Sequence, residues 1–421
     1  MSVTISIANI IKMHLIFTII MSTLVQRLKN LEGIYFRGER EQPPIEINAD
    51  HLKCMSDSLR VLLYSGSSAI QFRGKCHKPF KELRCLWIAC KISDLPTEFV
   101  KLERLAFYLG PFTQAMSLYE LPPRLRVMYI TFHVKKGVAD SKNSPRVTSA
   151  SSLVRLTCRS LENMQMLPDG LENLTKLEKL LLYGCHQLRE LPSKFGELIN
   201  LKELSLYDCN ELKELPSEFG RLNNLERFLL WDCPQLKQLS SDFGRLSNLT
   251  VLQLKGCYRL GVLPSSFGQL SNLKYMYFNG CSSLSVLPPS FGQLNNLINL
   301  ALDGCSALKD LPAGFGQLKS LEDIELNHCS GLKDLPSDFG QLQNLKRLNL
   351  SHCSGLKELP SNFGQLKNLT KLDLSHCSGL EEWPLSFKDL TGMKNINLTG
   401  CQKLKESLPN NISGNCSILF D

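Results

Sequence analysis

Cysteines stand at positions 185, 209, 233, 257, 281, 305, 329, 353, 377 and 401 of a 421-residue chain, every step being 24. Phenylalanine keeps the same step from Phe195 to Phe387, and a Leu-Pro pair recurs from Leu167 to Leu359, broken once at Leu239-Ser240. A fixed period of this length means a stacked repeat architecture. A lone unit buries too little to fold: ordering a backbone residue costs roughly 1–2 kcal/mol, while a buried Leu or Phe returns about 1.5–3 kcal/mol. Stacking supplies the missing burial, so each unit depends on its neighbours.

Within one unit the pattern is L-x-x-L-x-L-x-x-C, as in Leu201, Leu204, Leu206 and Cys209, followed by a Leu-Pro pair and F-G-x-L-x-N-L. That is the leucine-rich-repeat signature. The L-x-L alternation makes a short strand with one apolar face, and the Pro restricts the return to extended or helix-starting backbone. The expected fold is α/β, a leucine-rich-repeat solenoid: a curved right-handed coil with a parallel β-sheet on its concave face and short helical, 3-10 or extended returns on its convex face.

The signature places Asn or Cys after the strand, and Cys behaves as a small buried apolar residue with a weak S–H donor. Rung spacing near 5 Å does not forbid disulfides between rungs, since Cα atoms of a disulfide lie roughly 4.4–6.8 Å apart. A column of ten buried thiols nevertheless suits a reducing compartment. Zinc needs four ligands in a tetrahedron, whereas one column is nearly collinear. The pairs His328-Cys329, His352-Cys353 and His376-Cys377 are expected to point each His away from its Cys. The other six cysteines (54, 76, 85, 90, 158 and 416) show no C-x-x-C spacing. No metal, cofactor or catalytic constellation stands apart from the repeat, so the chain is not expected to be an enzyme.

Four regions follow. Residues 1–50 are an apolar lead-in, a remnant or signal-like segment with thirteen nearly apolar residues from Met13 to Val25, too short for a membrane span. Residues 51–152 hold divergent leucine-rich units and a polar loop, residues 153–408 the regular 24-residue repeats, and residues 409–421 a C-terminal cap. Charge is uneven: residues 1–150 carry 21 Lys and Arg against 12 Asp and Glu, residues 151–421 carry 27 against 28. The repeats are therefore not a basic nucleic-acid surface. Sequons at Asn173, Asn248, Asn368 and Asn397 leave a secreted alternative open.

With the Cys-bearing units placed, the stretches "LEGIYF", "SLRVLLYSG" and "ELRCLWIACKISDLPTEF" resemble the segment where plant nucleotide-binding leucine-rich-repeat immune receptors enter their repeats. The resemblance implies a cytoplasmic sensing region that recognises a pathogen- or host-derived protein, or an upstream receptor domain. It does not extend to the nucleotide switch. No G-x-x-x-x-G-K-[ST] phosphate loop is present, and Lys12-Met13-His14-Leu15 carries Leu where the family's Met-His-Asp motif has Asp. No nucleotide role carries over.

Positions between the strand leucines face the concave side. Early units place Leu181, Tyr183, Tyr207, Leu229, Trp231, Tyr275 and Tyr277 there, and later units Asp303, Asp323, Glu325 and Asp373. Exposed aromatics mark interface hot spots, so these are the candidate partner-binding residues. The expected function is non-catalytic protein recognition in plant defence; a secreted receptor-like ectodomain and a ubiquitin-ligase substrate adaptor are the alternatives.

Overall fold

A computed structural model describes residues 124–132, 152–159, 164–167, 170–409 and 416–420, and before them the backbone of seven strands. The chain divides into two compact units, Met1–Cys185 and His186–Asp421. The apolar run Met13–Val25 and the loop at 138–151 lie outside the described residues.

The first unit holds β1 (Ser2–Ser6), β2 (Gly33–Arg37), β3 (Ile45–Asn48), β4 (Val61–Ser65), β5 (Ile70–Arg73), β6 (Cys85–Lys91), β7 (Arg104–Leu109), β8 (Val127–Phe132), β9 (Arg155–Arg159) and β10 (Lys179–Tyr183). All but β3 and β5, which pair with each other, join one parallel sheet in chain order. The irregular leucine-rich stretches thus form the same kind of strand as the regular ones. Leu153, Leu156 and Cys158 are buried beneath β9.

The second unit holds β11 (Glu203–Tyr207), β12 (Arg227–Trp231), β13 (Val251–Lys255), β14 (Tyr275–Tyr277), β15 (Asn299–Ala301), β16 (Asp323–Glu325), β17 (Arg347–Asn349), β18 (Lys371–Asp373) and β19 (Asn395–Asn397), one per repeat. Each pairs in parallel with the next at a register of 24 residues. The tail adds β20 (Ser417–Leu419), which pairs with β19. Returns are single 3-10 turns at the Phe-Gly position, such as Phe315–Gln317. This is the expected leucine-rich-repeat solenoid.

Each side-chain column of the sequence becomes an internal ladder. The phenylalanines from Phe195 to Phe387 are at most 1% exposed, with successive rings 6.0–6.4 Å apart. Their Pro-x-x-Phe segments close a turn, Phe N–H donating to the carbonyl three residues back. The cysteines from Cys185 to Cys401 are buried thiols. From Cys281 onward each thiol donates to a carbonyl of the preceding rung, at 2.9–3.3 Å. A third ladder uses the Asn before the last leucine: Asn224, Asn248, Asn272, Asn296, Asn344 and Asn368 each donate Nδ2 to a carbonyl 25 residues earlier. The sequons at Asn248 and Asn368 thus coincide with a structural amide.

The residue before each cysteine is left-handed at every rung, through Gly184, Asp208, Asp232, Gly256, Gly280, Gly304, His328, His352, His376 and Gly400. Strand alternation is therefore not what parts each His from its Cys; the αL turn does so, with His outward and Cys inward. His, Asp and Asn are the non-glycine residues that tolerate this region best.

The glycine of Phe-Gly answers a different need. A Cβ on Gly268 would overlap the carbonyl oxygen of Ser290 in the next rung, whereas at Gly261 it would meet only Ser283 O at 3.9 Å. Gly268→Ala is expected to lower stability by ~1–3 kcal/mol. Gly261→Ala is expected to change it by less than ~1 kcal/mol, in the stabilising direction. Urea midpoints of the two variants check this; equal midpoints would refute the rung-contact account.

Candidate binding surface

The second unit presents three columns of side chains on its sheet face, one preceding and two following the first strand leucine. Register sets Ser205, Leu229, Gln253, Tyr277, Ala301 and Glu325 in one row, and Tyr207, Trp231 and Lys255 in another. Tyr207 and Trp231 meet edge to face, centroids 5.2 Å apart at 67°, the arrangement that ring quadrupoles favour. Lys255 Nζ lies 5.5 Å from the Trp231 ring centre, completing a cation–π contact. The indole Nε1 of Trp231 is buried and has no acceptor.

Not every expected residue reaches solvent. Leu229 is 8% exposed and Ala301 3%, so Leu229 floors the patch while Tyr207, Trp231, Tyr275 and Tyr277 stand half-buried above it. The burial of Tyr277 pushes its phenol above the ordinary range, and Tyr275, Glu325 and Asp323 push it the same way. It is a neutral hydrogen-bond donor at any physiological pH. Leu181 and Tyr183 belong to the first unit, where both are half-buried and Arg159 sits 5.0 Å over the Tyr183 ring.

The acidic positions divide into engaged and free. Asp303 accepts from Asn279 and Asn327. Asp323 is paired with Arg347 and accepts from Asn299. Asp373 accepts from the Ser375 backbone and hydroxyl and from Asn397. Glu325 alone of this set is exposed. What looked from sequence like an acidic zone is mostly an internal amide–carboxylate ladder. Sequence gave no sign of it, because the partners stand 24 residues apart.

Chemically the face can bind. Its column thiols are far from reactive: burial first, then the Cys329 thiol, pushes Cys353 up to about 12. Among the described residues no group of three or more His, Cys, Asp or Glu could hold a metal ion, and no helix is long and apolar enough to cross a membrane.

Comparison with known proteins agrees with this geometry. Residues 230–351 match the family model of a leucine-rich repeat region, and residues 200–222, 344–366 and 368–390 match single leucine-rich repeats. A search of curated proteins found no match. Among solved structures, a leucine-rich-repeat protein of Leptospira interrogans is 21% identical with a TM-score of 0.52, over 94% of this chain and 91% of that one. A chain of the Drosophila Toll–Spatzle complex is 18% identical with a TM-score of 0.61, over 94% of this chain and 54% of that one. The leucine-rich repeat domain of the type III effector XopL is 32% identical with a TM-score of 0.47, over 52% of this chain and 75% of that one. The chain carries a leucine-rich-repeat region, a fold that serves protein interaction.

On the rim, the αL histidines stack: His328 and His352 are 4.3 Å apart, His352 and His376 4.5 Å. Desolvation first, then the two flanking imidazoles, lowers the pKa of His352 from its ordinary 6.5, with Asp373 opposing. As pH falls, the unfolded chain takes up this proton before the folded one. The contribution of His352 to stability is therefore whole above about pH 6.5 and declines below it. His352→Gly, which places at this register the residue found at Gly304 and Gly400, is expected to flatten the loss of stability between pH 7.5 and 5.5. Denaturation midpoints at the two pH values check the sign, and a wild-type His352 NMR titration at or above 6.5 would refute it.

Proposed function

We propose that this chain is a non-catalytic protein-recognition module of the plant immune-receptor type. It binds a pathogen- or host-derived protein, or an upstream domain of a longer receptor, on the sheet face bearing Tyr207, Trp231, Tyr275 and Tyr277. The observation that carries this reading is the aromatic platform itself. It has two rings in edge-to-face contact, a buried leucine beneath and an indole N–H without an acceptor. Large rigid rings around a dry centre are what interface hot spots are made of. No nucleic acid or cofactor enters the reading.

A cytoplasmic setting is supported by the thiol ladder, whose S–H donors require reduced sulfur, and such columns persist where glutathione and thioredoxin keep thiols reduced. The extracellular alternative loses part of its footing, since Asn248 and Asn368 already have a structural role.

The test is co-purification of the full chain from plant cells, comparing wild type with Tyr207→Ala/Trp231→Ala and with Lys371→Ala, a control on the same face. Loss of the same partners from the aromatic variant alone, equivalent to at least a tenfold drop in recovery, is the expected result. Equal recovery by all three would reject the platform as the recognition surface. Glycan on Asn248 would reject the compartment.

A further inference from the structure

One rung breaks the Leu-Pro rule, and the break lies in a groove. The Leu-Pro-Ser segments of four successive rungs line a groove of about 700 Å³ from Glu190 to Ser265. At the third rung Ser240 stands where Pro192, Pro216 and Pro264 stand in the others. The backbone turn is the same: Phe243 N–H donates to Ser240 O as Phe219 does to Pro216 and Phe267 to Pro264. Only the ring is missing, so a hydroxyl stands in the groove where the neighbouring rungs place a proline ring. Ser240 is 8% exposed and its hydroxyl has no hydrogen-bond partner. A buried hydroxyl without a partner costs about 1–3 kcal/mol, and rotation about one χ1 bond redirects it.

The groove is also polarised. Glu190 and Glu214 line one end and no cation lines any part. At the other end Val262 is 49% exposed, with Val286 beyond it at 52%. Four rungs at ~4.8 Å span about 14 Å, the reach of roughly four extended residues. We propose that this groove binds an extended peptide segment of a partner protein. The segment carries a basic side chain toward Glu190 and Glu214 and an apolar one toward Val262, and its backbone satisfies the Ser240 hydroxyl. The site is separate from the aromatic platform and does not rest on it.

The experiment titrates the full chain, labelled with 13C at Leu and Val methyls, with the capped pentapeptide acetyl-RKSVL-amide and with acetyl-EESVL-amide. The expected result is saturable shifts at Leu215, Leu239 and Val262 with the basic peptide, at least tenfold weaker with the acidic one. Ser240→Pro restores the residue that the neighbouring rungs tolerate, so it keeps the fold while weakening binding at least tenfold; Lys371→Ala, on the sheet face, leaves binding unchanged. No saturable shift, equal binding of the two peptides, or undiminished binding by Ser240→Pro would overturn the proposal.

Discussion

Each rung must meet the next all the way around the coil, closely at the strands and at the wider 6.0–6.4 Å of the phenylalanine ladder on the returns, and most of the sequence serves that demand. At the strand the spacing is set by parallel backbone pairing at a register of 24 residues. At the return it is set by the glycine of Phe-Gly, where the carbonyl of the next rung leaves no room for a Cβ. Between them each thiol adds a second donor, from the next rung, to a carbonyl that already accepts a backbone N–H, and each amide ties its rung to a carbonyl of the one before. A 24-residue period is therefore a packing solution copied many times, and the cysteine is one of its hydrogen-bond donors.

The fold was legible because the repeat fixes it. Period, strand, return and buried columns could all be read from the positions of Leu, Phe, Cys and Pro. The left-handed column was not, since Gly, Asp and His share that register and only the first of them advertises a positive φ. Nor was the pairing of Asp303 and Asp373, because the amides that hold them lie a full repeat away in sequence. Leu229 was placed on the right face but at the wrong depth. Alternation tells which side a residue takes, and the size of its neighbours' side chains decides whether it surfaces there.

The histidine stack shows how a repeat can write a property that no single unit has. One exposed imidazole in an αL turn is unremarkable chemically. Three of them, at 4.3 and 4.5 Å, make the middle ring's proton depend on the outer two. Duplication of a unit thus duplicates its electrostatics at rung spacing, and like charges accumulate unless the register changes residue. The return to glycine at Gly304 and Gly400 ends the stack on both sides.

Specificity in such a molecule has to come from departures. Units that repeat the same residues offer a partner the same surface at every rung and no means of fixing its position. From Cys281 to Cys377 the return segments are nearly uniform, and the polar groups of the sheet face largely bond to one another. The departures gather earlier, where Tyr207, Trp231, Tyr275 and Tyr277 interrupt one face and Ser240 interrupts another. The two lie in neighbouring rungs on different faces, so a partner that uses one need not compete with a partner that uses the other. The uniform rungs then act as a rigid extension that holds the variable ones in register, which is why their packing can be strict while their surface carries little information.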